Sequence, residues 1–547
     1  MELIDQKTKT IMEGCKERAR QAGLVFEDET LEYIVSNRDL LELSPKMMIP
    51  TFYDYWVHDV EVLKEKGRYE LYPGNPYETV INTRPAISFY NDNNPDWLNV
   101  MIFYHVLGHI DFFQNNTYFR HTWDIDFTEK ALDDKRRIAK LRSEKGRWLD
   151  YVIEFSRGID NLVGYHDKLS RMERLEKNGL PGRLDYYFDV FLQEQKRVKM
   201  SEYIKEIERY NDCMKSDDQL YEKIFFTAVE RKYPEFDTLY RKHLEKRQES
   251  SVDLIQFIME QSPFLKKEEN HWMLTVMDVV RSTSMIFQPQ IRTKIMNEGW
   301  ASYWHERLFL QDDRINGHEV DYARINAAVT AMPRVGLNPY ALGMRLFAYI
   351  EQIGDKGKYS YDFKQMSDSR ERKHFDRHEE KGQELIFKVR DNLCDFLFIY
   401  TFLDQDFVDL HKLFVAGRQL DEQRMVWQYY IKSRRVEDYR KMIFDTLYHP
   451  PHITVDHSKT TEKSLYLMHH FEEKPLVTEY IANTMLGIEY LWGAPVHLET
   501  SEVVSITPPT PRSPDALPDP AAVPEIKWRR VVYTMKDRKL AKRVIEA

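Results

Sequence analysis

His105 and His109 stand four residues apart in the segment Asn99-Val-Met-Ile-Phe-Tyr-His-Val-Leu-Gly-His-Ile-Asp-Phe-Phe, which is apolar nearly all round. A helix with no polar face is buried on every side. Positions i and i+4 share one face about one turn apart, so both imidazoles can converge on a single metal ion. Spacing alone is weak evidence, because eighteen histidines in 547 residues give on the order of 0.6 such pairs by chance. His374 and His378 form another such pair, but within the charged run Glu-Arg-Lys-His-Phe-Asp-Arg-His-Glu-Glu, where imidazoles are simply solvated. Buried imidazoles need partners to offset desolvation. A metal would satisfy His105 and His109, and so would hydrogen bonds to backbone or carboxylates.

Two nitrogens leave a tetrahedral ion short of a third protein ligand. The best candidate is in Met296-Asn-Glu-Gly-Trp-Ala-Ser-Tyr-Trp-His-Glu-Arg. Glu298 and His305 are two helical turns apart and fall on one face, with the small Ala301 and Ser302 between them. An ion pair, or a helix cap beside Asn297, is the plainer role for Glu298. Trp300, Tyr303 and Trp304 would wall a pocket or fill the core. Further on, Met332-Pro-Arg-Val-Gly-Leu-Asn-Pro-Tyr reads as a loop in which Asn338 caps a helix and Pro339 enters its first turn. Arg334 and Asn338 can face a ligand there, or belong to an ordinary connector.

The chemistry these residues suggest is a divalent ion, zinc by ligand type, on His105, His109 and Glu298, polarising a carbonyl and lowering the pKa of bound water. His305 or Glu306 would act as base. Asp111, Asn115, Glu154, Asn297, Trp300, Arg334 and Asn338 are the candidates to support the ligands or meet the substrate. No Gly-rich phosphate loop, serine nucleophile elbow or Cys-plus-His arrangement is present at useful spacing.

The elements that must position these groups are mainly helical. Apolar residues recur at helical spacing from Met1 to about Leu410, as in Leu31, Tyr33, Ile34, Leu40 and Leu41, or Ile224, Phe225, Val229 and Tyr233. Short extended pieces at Glu70–Leu71, Thr79–Ile81 and Ala86–Tyr90 suggest a small hairpin. After Gln419 the pattern becomes strand, helix, strand, strand, helix, strand, the ferredoxin-like plan. The expected organisation is a helical body over 1–415, a small α+β domain over 420–500, a Pro-rich linker over 501–525 and a basic strand-helix tail over 526–547.

A formal charge of −10 argues against a broad phosphate-neutralising surface and hence against nucleic acid. Cys15, Cys213 and Cys394 are too few and too scattered for a disulfide framework. A charged start and the lack of an apolar run of about 18 residues predict a cytoplasmic chain with neither signal peptide nor membrane span.

Several longer blocks add up to a resemblance. Glu78-Thr-Val-Ile-Asn-Thr-Arg-Pro, His105-Val-Leu-Gly-His109, Asn297-Glu-Gly-Trp-Ala-Ser-Tyr-Trp-His305, Gly336-Leu-Asn-Pro-Tyr-Ala-Leu-Gly343, His411-Lys-Leu-Phe414 and Leu491-Trp-Gly-Ala-Pro-Val-His-Leu-Glu-Thr500 resemble the stage V sporulation protein R family. The resemblance implies a cytoplasmic protein linked to spore cortex formation or, in non-sporulating bacteria, to stress. It also implies association with a serine protein kinase and a von Willebrand-type protein. The pairing of His-x-x-x-His with Glu-Gly-Trp-Ala is similar to gluzincin peptidases, and carried over, their metal ligands would be His105, His109 and Glu298.

Three departures weaken that chemistry. Val106 stands where a gluzincin has its catalytic glutamate. Ser282 and Thr283 follow Arg281 where many family members carry acids, and Asn326 occupies the place of a frequent histidine. The alternative is therefore a non-enzymatic scaffold or pseudoenzyme that recruits the kinase complex.

Overall fold

The computed structural model describes residues 2–27, 29–36, 79–122, 127–163, 182–196, 221–241, 253–360, 368–421, 424–447, 450–470, 475–507 and 525–546, with isolated positions at 39, 198, 202, 205, 206, 209, 210, 213, 363 and 366. The chain is mostly helical, with three sheets among the described residues. Among the described residues, no helix is long and apolar enough to cross a membrane.

Three helices make the centre of the first core: a histidine helix (Asp96–Asn115), a glutamate helix (Lys294–Phe309) and a third helix, Pro339–Asp355. The glutamate helix lies between the other two at backbone contact. A Cβ on Gly108 would stand 2.7 Å from Ala301 Cα, one on Gly299 2.3 Å from the Gly343 carbonyl carbon, and one on Gly343 2.1 Å from Ile295 O. Glycine permits this approach because it has no side chain to hold the helices apart.

The first turn of the glutamate helix carries backbone N–H groups with no intrahelical partner. Asp395, almost fully buried, accepts hydrogen bonds from Ile295 N (2.8 Å) and Met296 N (2.9 Å). Burial pushes the Asp395 carboxyl up to about 7, and these N–H groups oppose the shift. Asn338 caps the third helix, with Oδ1 accepting from Tyr340 N and Ala341 N and Pro339 in the first turn.

An N-terminal sheet flanks this core in the order β1-β2-β4-β3, from Glu2–Leu3, Thr30–Val35, Thr79–Ile81 and Ala86–Asn91. The hairpin of β3 and β4 corresponds to the extended pieces expected there. Leu31, Tyr33 and Ile34, read as helical, instead lie in β2, which pairs in parallel with β4 along its whole length. Pairing to β4 and the β-branched and aromatic content of Thr30–Val35 decided the conformation over a short apolar spacing. Leu40, Leu41, Glu70 and Leu71 lie outside the described residues. The second cited helix is observed as Tyr221–Lys232.

The C-terminal part differs in connectivity from the ferredoxin-like plan. The first strand expected after Gln419 is β6 (Val426–Ser433), which among the described residues pairs with β5 (Val415–Asp421) in a separate two-stranded ribbon. Helix Val436–Thr446 follows and sends Val436, Tyr439 and Ile443 into the first core. Strands His452–Val455, Leu465–His470, Val496–Thr507, Glu525–Lys536 and Lys539–Glu546 (β7 to β11) form a five-stranded sheet in sequence order. Within it β8 and β9 are parallel and are joined through helix Thr478–Trp492.

This sheet shares a second core with helices Arg147–Arg157, Leu254–Gln261 and His271–Arg292, through residues such as Leu149, Ile258, Val276, Leu467 and Val531. The expected helix at the tail is strand β11, because Asp537 and Arg538 both take positive φ (50° and 61°) and close a two-residue hairpin from β10. Residues 501–507, expected as linker, extend β9, and the prolines from 508 to 524 lie outside the described residues.

Two glycine substitutions test this packing in opposite directions. Gly343→Ala forces a methyl into Ile295 O and Gly299, and a stability loss of at least about 1–3 kcal/mol is expected by denaturant unfolding. Gly14→Ala, on the exposed face of helix Gln6–Gln21 with nothing within 4 Å, should gain roughly 0.5–1 kcal/mol.

Candidate metal centre

The packing of the histidine and glutamate helices brings His105, His109 and Glu298 together, and one donor atom from each lies within 4.8 Å of the other two. His105 is fully buried and His109 nearly so, while the Glu298 side chain is 18% exposed and forms the more open side of the cluster. Burial, reinforced by His109 and opposed by Glu298, holds His105 well below the usual histidine range, so its imidazole is neutral. Neutral imidazole is the form that ligates metal.

The hydrogen bonds around the cluster fix which nitrogen carries each proton. Glu306 Oε2 can only accept, so Asn326 turns its amide Nδ2 toward it (2.8 Å). Asn326 Oδ1 then accepts from His305 Nε2 (3.0 Å), which leaves His305 Nδ1 as an acceptor. His105 Nδ1 donates to it (2.8 Å), and the His105 lone pair is thereby placed on Nε2. On the next turn His109 Nδ1 donates to Asn297 Oδ1 (2.9 Å), so in the neutral imidazole the lone pair sits on Nε2.

That nitrogen faces Glu298 Oε2 at 3.6 Å, and this buried oxygen accepts no hydrogen bond. A lone pair against a carboxylate oxygen is repulsive unless a proton or a cation lies between them. Ser302 Oγ, one turn along from Glu298, is likewise buried with no hydrogen-bond partner. Zinc bonds of about 2.0–2.2 Å hold tetrahedral donors about 3.4 Å apart, so the His109–Glu298 spacing already suits the ion. Two imidazoles and a carboxylate are a donor set for zinc.

The remaining predicted residues divide by position. His305 has both ring nitrogens engaged, and Glu306 lies beyond Asn326, so neither side chain is among the three clustered donors. Asn297 supports His109 directly. Asp111 is fully buried, two residues past His109, and takes hydrogen bonds from Trp300 Nε1 and Val25 N (2.7 Å each) and an ion pair from Arg390 (2.9 Å). Asn115 bonds the backbone oxygens of Val25 and Asp111, and Trp300 packs on Phe347 and Phe387. Glu154 is exposed on helix Arg147–Arg157, which belongs to the second core. Asn338 is a cap, and Arg334 lies exposed on the loop before it.

Two neighbours were not foreseen. Asn326, read only as a departure, orients His305. Tyr340 stacks on His105 with ring centroids 6.1 Å apart. Nothing in the order of residues marks Tyr340, since its approach depends on how the capped helix docks. Of the other departures, Val106 is fully buried in the first core, and Ser282 bonds the backbone of its own helix.

A family model described as SpoVR like protein matches residues 4–449. The chain belongs to the SpoVR family. It is 25% identical over 397 residues to Uncharacterized protein YcgB of Escherichia coli (strain K12), across 68% of this chain and 70% of that protein. No solved structure matches. The family match ends at 449, between helix Val436–Thr446 and β7. It therefore takes in all of the first core and stops before the five-stranded sheet.

The Asp111–Arg390 pair ties the histidine helix to helix Gly382–Asn392. Burial pushes the Asp111 carboxyl up to about 6 even with Arg390 beside it. A carboxyl raised in the folded state stabilises fully below its unfolded pKa, and that contribution is lost as pH rises through about 6. Arg390→Met removes the opposing cation and leaves a buried charge, so a loss of about 3–5 kcal/mol is expected at pH 8. The loss should be smaller at pH 5, where Asp111 takes up a proton. Urea unfolding at the two pH values measures the difference.

Proposed function

We propose that this SpoVR protein holds a divalent cation, zinc by donor type, on His105, His109 and Glu298, and that it is a hydrolase of the metal-dependent kind. The observation that carries the reading is the convergence of three donors from two helices, 189 positions apart at their nearest in sequence (298 minus 109), inside the first core. When bound, zinc supplies polarisation of a carbonyl and a lowered pKa for its water.

The protein's own residues do the positioning. Asn297 holds the Nδ1 proton of His109, and the chain from Glu306 through Asn326 and His305 holds that of His105, so both Nε2 lone pairs serve as ligands. In this reading His305 and Glu306 are positioning residues. Substrate approaches from the side of Glu298, where the cluster is least buried, and Tyr340 lines the face of His105.

One observation favours a second reading. Val106 leaves the histidine helix without the acid that would take a proton from water, and it is fully buried. A centre lacking that acid would serve a non-enzymatic member that recruits a kinase complex within the cytoplasm, in keeping with the sporulation and stress roles the family resemblance implies.

Metal analysis of protein dialysed against zinc separates these ideas. About one zinc per chain is expected, lost in His105→Ala and in Glu298→Gln, with affinity about 10–100-fold weaker in Asn297→Ala. No zinc in the unmutated protein would end the metal reading. Zinc without turnover of a peptide library, or turnover unchanged by Glu298→Gln, would leave the scaffold.

A further inference from the structure

Isolated two-stranded ribbons are marginal in water, and the ribbon of β5 and β6 carries large apolar side chains into solvent. Trp427 is 52% exposed, Tyr429 57% and Ile431 48%. The register pairs Ala416 with Ile431, Arg418 with Tyr429 and Leu420 with Trp427. Strand alternation puts these six on one face. Arg418 lies over the Trp427 ring at 4.8 Å.

That face runs into a groove of about 190 Å³ at the base of the ribbon, which Ala416 also lines. Its walls combine apolar Met332, Leu413 and Met442 with Arg334, His411 and Lys412, and among the described residues contain no carboxylate. Across residues 411–435 the sequence has Lys412, Arg418, Arg424, Lys432, Arg434 and Arg435 against Asp421 and Glu422, in a chain of net charge −10. Among the described residues the outer edges of both ribbon strands carry no ladder. An unpaired edge beside alternating apolar contacts is the geometry that accepts an added strand.

We propose that the groove and the exposed ribbon face form one docking surface for an acidic, extended polypeptide segment of a partner protein. Apolar side chains alternating along the segment meet Trp427, Tyr429 and the groove wall. Its carboxylates meet Arg334, Lys412 and Arg418. The charge of the surface selects an acidic partner, and its apolar stripe selects alternation. None of these residues belongs to the metal cluster, so the proposal stands independently of the hydrolase reading.

The test is fluorescence anisotropy of the full chain with a short labelled peptide alternating glutamate and valine, its lysine–valine counterpart and a single-stranded oligonucleotide. The acidic peptide should bind at least roughly tenfold tighter than the basic one. Its affinity should fall roughly tenfold in Trp427→Ala and in the Arg334→Ala, Lys412→Ala double variant. Circular dichroism should stay unchanged, since these side chains are not core residues. Equal affinity for both peptides, unaltered binding in the variants, preferred binding of the oligonucleotide, or a ribbon-dependent dimer by light scattering that excludes the peptide would each overturn the proposal.

Discussion

Backbone contact between the glutamate helix and its two neighbours is the constraint on which the rest of the first core depends. Gly108 against Ala301 and Gly299 against Gly343 draw the helices together. At that separation the long polar side chains on the facing turns have no room to reach water. His105, His109 and His305 are consequently buried, and burial obliges each to find hydrogen-bond or electrostatic partners. The ordered run from Glu306 to His105 follows from a steric decision made by glycine.

The same pair of helices is tied a second time by another polar set. Asp111 follows His109 by two residues, and Trp300 follows Glu298 by two. Two positions on a helix are about 200° apart, so the second set lies away from the first. Trp300 Nε1 donates to Asp111, and Arg390 closes the group from a further helix. One set leaves a buried carboxylate oxygen without a hydrogen bond; in the other, both Asp111 oxygens are bonded. That contrast, more than the presence of buried charge, distinguishes the candidate cluster from the structural one.

Sequence made the helical nature of the core, the Asn338 cap and the candidate donors legible, because each rests on local spacing. It did not reveal that both His305 nitrogens are engaged, by His105 and by Asn326, since that depends on a polar residue on a different helix. The β2 strand was misread because a few apolar residues fit helical and extended spacing alike, and only its parallel pairing with β4 resolves them. The C-terminal plan failed for a related reason. Element types were largely right, but β6 had a nearer partner in β5, helix Val436–Thr446 found the first core, and the sheet found helices from the middle of the chain. Those are competitions between distant surfaces, which local pattern does not record.

One short segment borders both the His105–His109–Glu298 cluster and the groove. Met332 to Gly336 line the groove, and Tyr340 lies against His105. Between them Asn338 donates through Nδ2 to Val329 O and Ala331 O while its Oδ1 caps the following helix. The cap therefore clamps the loop to the end of one helix and the start of the next. A loop held at that point transmits little displacement from groove to cluster, because coupling needs an element with two arrangements. Groove substitutions and cluster substitutions should then add in their effects on stability, while Asn338→Ala, which releases the clamp, would make them interdependent.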